Sequence, residues 1–417
     1  MSCCDRGQLR SVDAMLEELL SKAVPVEQSI SVHVADALGK VLAKDVISGI
    51  DVPPHNNSAV DGYAVNIEDC QQAGTVKLDI SQRIPAGSVP QPLKPGTAAR
   101  IFTGATIPEG ATAVVMQEDC TELDGSQSGT KAVSLPCNLT MKQNIRPQGQ
   151  DIQTNQVILK KGHRVRAQDM GLMASIGVSD IEVYRPLKVA ILSTGDELVE
   201  PGETVNEGQI YNSNRYTLKG LLDGFGFEIV DFGIVEDTLD ATITALTKAS
   251  QSADVIITSG GVSVGEEDHV KAAINTLGEL NLWRLAIKPG KPFAYGRVGN
   301  TPVIGLPGNP GAVFVTFCIL ARPFLLKSQG AERFNARSFK LPLAFSLKKP
   351  GKRREYLRTR LNYESGVATI ENHPNQSSGV LSSASWADGF AIIPEHTVPE
   401  KGDLVEFCPF SELFGNG

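Results

Sequence analysis

The stretch TSGGVSVGEEDHV, residues 258–270, sets three kinds of chemistry side by side. The glycines let backbone N–H groups of Gly260, Gly261 and Val262 face an anion, and Ser263 adds a hydroxyl donor. Glu266, Glu267 and Asp268 follow at once. Carboxylates repel an anion unless a cation stands between them, and Mg²⁺ bridges carboxylate to phosphate oxygens. Asp237, in EDT, is a second hard oxygen ligand to set beside Asp268, and Lys288 and Lys291, in IKPGKP, supply positive charge. Together these residue types suit the cleavage of a phosphoanhydride.

Each signal also has a plainer reading. SGGVSVG serves equally as a turn. Acids at a helix N-terminus stabilise the macrodipole with no ligand present, which accounts for Glu266 and Glu267 as well as a metal does. Lys291 reads as a solvated loop residue, and Pro307 and Pro310 as shapers of a turn. His269 has no His or Cys partner at metal spacing and reads as a surface histidine. Upstream, HNNSAVDGYA (55–64) packs turn formers around Asp61, which an Asx-type turn explains locally.

The elements around these loops favour a site. KVAILST, FEIVDFGIV and DVIITSG are strand-like, and NRYTLKGLLDGF and LDATITALTKAS between them have helical spacing. Strands alternating with helices predict a mostly parallel sheet covered on both faces. Ligands of such sheets bind beyond the carboxyl ends of the strands. Those ends carry Ser193-Thr194-Gly195-Asp196-Glu197, Glu236-Asp237-Thr238, the 258–270 loop, Ile287–Pro292 and Gly305–Pro310. Five polar or glycine-rich loops on one edge make a strong site signal. The dinucleotide fingerprint G-x-G-x-x-G is absent after the first strand, which argues against a nicotinamide oxidoreductase.

The rest of the 417 residues divides by style. Residues 11–20 predict an amphipathic helix capped by Ser11, and 34–46 a second helix. Residues 48–145, rich in Gly, Pro, Thr and Val, read as a small β domain with a hairpin tip over 121–132. Short strands and one helix, QDMGLMASIG, occupy 150–180. VFVTFCILARPFLLK (313–327) predicts a buried closing helix, and short strands return after 330.

Composition narrows the class further. A 41% apolar, 21% charged chain is globular, and a net charge of −8 gives no general attraction to nucleic acid or anionic membrane. No run of about 20 apolar residues predicts a membrane span, and the first residues lack the apolar core of a signal peptide. The seven cysteines are odd in number and form no C-x-x-C pair. They read as reduced thiols of a cytoplasmic protein, Cys3-Cys4 included.

Taken in order, NSAVDGYAV, FTGATIPEGATAVVMQED, STGDEL, GQIYNSN, TSGGVSVGEED, LAIKPGKPFAYG and GLPGNP resemble the MoeA family of molybdopterin molybdenumtransferases, related to the E domain of gephyrin. The resemblance covers about residues 10–415. It implies an α/β plus β, multidomain chain. Residues 1–47 and 146–180 would form a helical/β linker domain, with 48–145 as an inserted β domain. A MogA-like β/α domain would cover 181–328 and a C-terminal β barrel 329–417. The implied reaction inserts molybdate into adenylyl-molybdopterin and releases AMP, with Mg²⁺, in a homodimer that receives its substrate from a molybdopterin adenylyltransferase.

By the same resemblance, Asp61, Thr103, Glu197, Asp237 and Asp268 are catalytic, with Asp237 and Asp268 on the metal. Ser193, Gly195, Gly260, Gly261, Ser263, Gly265, Lys288, Lys291, Pro307, Pro310, Arg353 and Ser378 bind substrate. Lys291, Arg353 and Ser378 among them would hold the molybdate dianion. Asn56 and Gln150 stand where the family usually has acids, and Gly311-Ala312 where it commonly has Val-Ser. Ser377-Ser378-Gly379 replaces a more usual Gly-Ser. Two other readings share the fold: a molybdopterin adenylyltransferase, and a non-catalytic scaffold with Trp283 or Trp386 in an apolar groove.

Overall fold

The computed structural model describes residues 9–71, 73–127, 129–261, 269–363 and 366–414. The chain forms two compact units. One comprises Met1–Lys44, Lys161–Arg166 and Asp180–Gly417; the other comprises Asp45–Lys160 and Ala167–Ser179.

The first unit is built on a six-stranded sheet. Its order is Glu228–Val235, Lys188–Thr194, Val255–Ser259, Thr301–Leu306, Pro292–Val298, Gly278–Arg284. The first four strands are parallel and the last two antiparallel. Val189, Ile191, Val255 and Ile257 point into one core; Ala190, Leu192 and Ile256 point into another on the opposite face. Both faces of the central strands are therefore dry, and their sequences read as unbroken apolar runs. The helices between them start where a side chain accepts an otherwise orphaned N–H. Asn212 caps Ser213–Gly224 through Arg215 N (3.3 Å), and Thr238 caps Leu239–Ser252 through Ala241 N (3.3 Å).

The closing helix is apolar and buried, as its composition predicts. It runs as Pro310–Thr316, a π-helical turn Phe317–Ala321 and Arg322–Ser328. This 19-residue run passes for a membrane span by length and mean hydropathy alone, although it is interrupted by Arg322 and Lys327. It is almost wholly buried, so its apolar surface is spent in the core. Helix Val12–Ser21 forms where its spacing places it, with Ser11 Oγ accepting from Ala14 N (3.2 Å) and Val12, Met15 and Leu19 buried.

The helix expected over 34–46 is a correction. Only a 3₁₀ turn, Val34–Asp36, is present. Gly39 lies at φ 75°, outside the right-handed helical region, and the chain then bridges Val41 to Arg164 and Leu42 to Val183. Cross-strand pairing wins over a weak helical period because it buries Val41 and Leu42 almost fully.

Residues beyond 338 form a small barrel. Strands Arg354–Asn362, Gly389–Ile393, Leu404–Pro409 and Phe339–Pro342 pair in that order, and Thr369–Asn372 pairs the other edge of Arg354–Asn362. A bridge from Leu343 to Ile370 closes the ring. Phe314 of the closing helix sits among the rings of Phe390, Phe410 and Phe414 at 5.3–5.9 Å, which fastens the barrel to the sheet domain. Trp283 is buried and stacks with Phe293 and Tyr295, so it lines no exposed groove.

The second unit holds another six-stranded sheet: Ala113–Met116, Gly62–Val65, Thr97–Ile101, Thr75–Ile84, Lys131–Pro136, Thr121–Asp124. Thr121–Asp124 and Lys131–Pro136 are the expected hairpin. Tyr63, Val65, Val115 and Val133 pack on one face; Ala64, Ile84, Ile101 and Val114 pack on the other. The helix expected near 168–177 is Ala167–Ser175. The mostly parallel β/α domain, the small β region and the closed C-terminal barrel agree with the architecture expected from the sequence.

Candidate functional site

Four strand ends of the parallel sheet and two loops of the barrel converge on one open cleft of ≈ 1020 Å³. After Lys188–Thr194 come Gly195 and Glu197; after Glu228–Val235, Asp237; after Val255–Ser259, Gly260 and Gly261; after Thr301–Leu306, Pro307 through Pro310. Lys288 and Lys291 enter from the segment joining the two antiparallel strands, whose ends share that edge. Arg353 and Ser377-Ser378-Gly379 come from the barrel.

The backbone at the glycine loop is tightly determined. Gly261 lies at φ 63°, and a Cβ there would stand 2.4 Å from the Val270 side chain. Both conformation and space demand glycine. Ser193 does not reach the cleft. It is buried behind it, within hydrogen-bonding distance of Ser259 Oγ (3.2 Å) and Asn212 Oδ1 (3.5 Å), where it ties two adjacent strand ends together.

The charges of the cleft are not equivalent. Lys288 Nζ lies 3.1 Å from Glu355, so its charge is already matched. Lys291 and Arg353 have no carboxylate partner among the described residues; Arg353 donates only to the carbonyl of Ile287 at 3.1 Å. Asp237 likewise has no cationic partner among the described residues. Free cations and a free carboxylate in one cleft suit an anionic ligand carried with a divalent cation.

Several contributors escaped the sequence reading. Asn214 donates to the Gly308 carbonyl at 2.7 Å and clamps the GLPGNP loop to the start of the Ser213–Gly224 helix. Asn212 Nδ2 and Asn214 Oδ1 are buried and have no partner among the described residues, which makes them ready contacts for a ligand. The only hint of them was the motif GQIYNSN, in which both look like ordinary caps. His269, read from the sequence as a surface histidine, is half-buried and lines the cleft as well. It is the first residue of helix His269–Leu277.

Asp61 and Thr103 belong to the other unit and pair with each other. Asp61 Oδ1 accepts from Thr103 N (2.8 Å) and Thr103 Oγ1 (2.7 Å). These bonds, the backbone one foremost, hold the Asp61 carboxyl below its usual range. Ser263, Gly265 and Asp268, together with Glu266 and Glu267, lie outside the described residues. Among the described residues no cluster of three or more His, Cys, Asp or Glu forms a metal cage. The five described cysteines, Cys70, Cys120, Cys137, Cys318 and Cys408, are free thiols, as expected.

Comparison with known proteins agrees with this geometry. Residues 10–177 match the MoeA N-terminal region (domain I and II), 190–327 a probable molybdopterin binding domain, and 340–410 the MoeA C-terminal region (domain IV). A molybdopterin molybdenumtransferase of Haemophilus influenzae is 38% identical over 97% of this chain and 100% of its own length. One from Nostoc is 35% identical over 86% of this chain and 83% of its own. The crystal structure of a molybdopterin biosynthesis moeA protein from Pyrococcus horikoshii superposes with a TM-score of 0.82 at 30% identity, covering 96% of this chain and 100% of that one. On this full-length likeness, the chain belongs to the MoeA family of molybdopterin molybdenumtransferases.

Proposed function

We propose that this chain inserts molybdate into adenylyl-molybdopterin and releases AMP, as a step of molybdenum cofactor synthesis in the cytoplasm. The observation that carries the reading is the charge pattern of the cleft. Cations without carboxylate partners among the described residues, Lys291 and Arg353, share it with an acid without a cationic partner among them, Asp237.

Lys291, Arg353 and the Ser378 hydroxyl hold the molybdate dianion. Gly261 turns its backbone N–H to the substrate phosphate, whereas the Gly260 N–H is already donated to the Leu306 carbonyl at 3.2 Å, a correction to its expected role as a free donor. Asn212 and Asn214 offer the amide donor and acceptor that the fold leaves unused. Glu197 positions the pterin or a water at the rim. Asp61, with its carboxylate oriented by Thr103, acts as a further acid, as the family resemblance implies.

Asp237 and Asp268 would hold Mg²⁺. The donor set fits, because Mg²⁺ needs only one or two carboxylates when phosphate oxygens and waters complete its shell, and Asp237 is not committed to any described cation. When bound, the ion supplies neutralisation of charge on the phosphoanhydride oxygens. The working form is a homodimer that takes its substrate from a molybdopterin adenylyltransferase.

The test incubates purified protein with adenylyl-molybdopterin, Mg²⁺ and molybdate and follows AMP. Release that depends on molybdate and yields active cofactor is expected. Formation of adenylyl-molybdopterin from ATP and molybdopterin would instead identify an adenylyltransferase, and failure to bind molybdopterin a scaffold.

A further inference from the structure

Two cations of the cleft, Lys291 and Arg353, hang on one short piece of backbone, residues 285–287. The Leu285 N–H donates to the Lys291 carbonyl at 2.9 Å, and the Ile287 carbonyl accepts from Arg353 Nη1 at 3.1 Å. Between them, the Ala286 carbonyl accepts from the Arg354 N–H at 2.8 Å. That bond opens a parallel ladder in which Ile287 pairs Arg354 and Lys288 pairs Glu355. Side chains alternate along an extended chain. Arg353 lines the cleft and Glu355 meets Lys288 on the cleft side, so Arg354 points the other way.

On that outer side stands the start of helix Val12–Ser21. The Arg10 N–H donates to the Arg284 carbonyl at 2.9 Å and the Ala286 N–H to the Arg10 carbonyl at 2.8 Å, so Arg10 runs beside 284–286. In the first turn of the helix, Asp13 takes the Arg354 guanidinium through two bonds, Nη1 to Oδ1 and Nη2 to Oδ2, both at 2.7 Å. These bonds, foremost among the causes, hold the Asp13 carboxyl below its usual range. Glu395 makes a looser approach, 3.8 Å from Arg354 Nε. An acid in a first turn also suits the helix dipole. A fork-to-fork pair does more, because it fixes the orientation of both partners as well as their distance.

We propose that Asp13 is a positioning residue for oxyanion binding: its pair with Arg354 holds the start of the barrel strand against residues 285–287 and so fixes the gap between Lys291 and Arg353. This rests on the reading that those two cations hold a molybdate-like dianion. The size of the effect is bounded. Asp13 is 72% exposed and Arg354 22%, and such a pair contributes little to stability. A pair formed only in the binding-competent arrangement can change affinity by no more than its own free energy. The ceiling is therefore about fivefold. The sign is distinctive. By charge alone, removing Asp13 would favour an anion nearby; loss of the brace weakens its binding.

Calorimetric titration of the full chain with molybdate alone tests this, on wild type, Asp13→Ala, Asp13→Glu, Arg354→Ala and the double variant Asp13→Ala/Arg354→Ala. Asp13→Ala is expected to bind molybdate about three- to fivefold more weakly. Asp13→Glu, which keeps the carboxylate, is expected to stay within about twofold of wild type. In molybdate-dependent AMP release, Asp13→Ala should raise the KM for molybdate by the same factor and leave kcat within about twofold. Once Arg354 is alanine, Asp13→Ala should have no further effect. Unchanged or tighter binding by Asp13→Ala overturns the inference alone. So does a weakening that persists in the Arg354→Ala background, which would assign the effect to the helix rather than to the pair. A wild type that binds no molybdate overturns the oxyanion reading, and this inference with it.

Discussion

The cleft of the first unit and the Asp61–Thr103 pair of the second are built in opposite ways. The cleft takes residues from four parallel strand ends, a joining segment and two barrel loops. The pair in the β unit is one turn acid and one threonine, satisfied by each other at 2.7–2.8 Å. The cleft's polar groups are left open: Lys291, Arg353 and Asp237 face it without opposite charges among the described residues. A site assembled from many segments can hold unmet charge because the sheet beneath it is rigid and dry. A site made by one turn satisfies itself locally and depends on little else.

That difference predicts how each region breaks. Phe314→Ala empties a ring cluster between the closing helix and the barrel. It should cost about 3–5 kcal/mol in urea unfolding and loosen the cleft walls, leaving the β unit's transition in place. A loss shared by both units would contradict their separate cores. At the level of chemistry, Asp237→Asn is expected to slow molybdate-dependent AMP release about 100-fold or more, against about tenfold for Asp61→Asn. Equal losses would erase the distinction between the two regions.

A third prediction concerns the base of the sheet. Asp254 is partly buried, which by itself would raise its pKa. The two 2.7 Å bonds from Arg185 and one from Lys188 N outweigh that and hold it below the usual value. Its stabilising effect should be complete above the unfolded carboxyl pKa of about 3.9 and lost as the pH falls through the lower folded value. Asp254→Asn should thus destabilise by about 1–3 kcal/mol at pH 7, and the gap to wild type should close in acid. The smallest effect is local to the β unit. Thr103→Val removes one hydroxyl donor and should move the Asp61 titration back toward the ordinary range, observable by carboxyl NMR. No movement would mean that the backbone N–H alone sets it.

How much was legible divides along the same line. The parallel sheet announced itself because Val189–Leu192 and Val255–Ile257 are apolar without alternation. The cleft could be expected because polar loops recurred after each run. Asn212 and Asn214 did not stand out, since a capping asparagine and a ligand-facing one have the same letter and differ only in which amide atoms are left over. The helix over 34–46 was misread because Gly39 breaks it and Val41 and Leu42 find strand partners more than a hundred residues away, which no local window contains. Asp61 was legible only by resemblance, because its turn explains itself.

The π-helical turn at Phe317–Ala321 has a consequence for changes in chain length. Such a turn is an α-helix carrying one surplus residue, and the segments on either side stay in phase with the core. Removing a residue elsewhere in 310–328 would rotate the downstream part of the helix by about 100° and swing Phe324 and Leu325 away from the sheet. Removing one inside 317–321 would keep them in place. It would also return Pro323 to an unbroken α-helix, where its ring meets the carbonyl four residues back. Deletion there should therefore be tolerated only together with Pro323→Ala, so the surplus residue and the proline behave as one inherited unit.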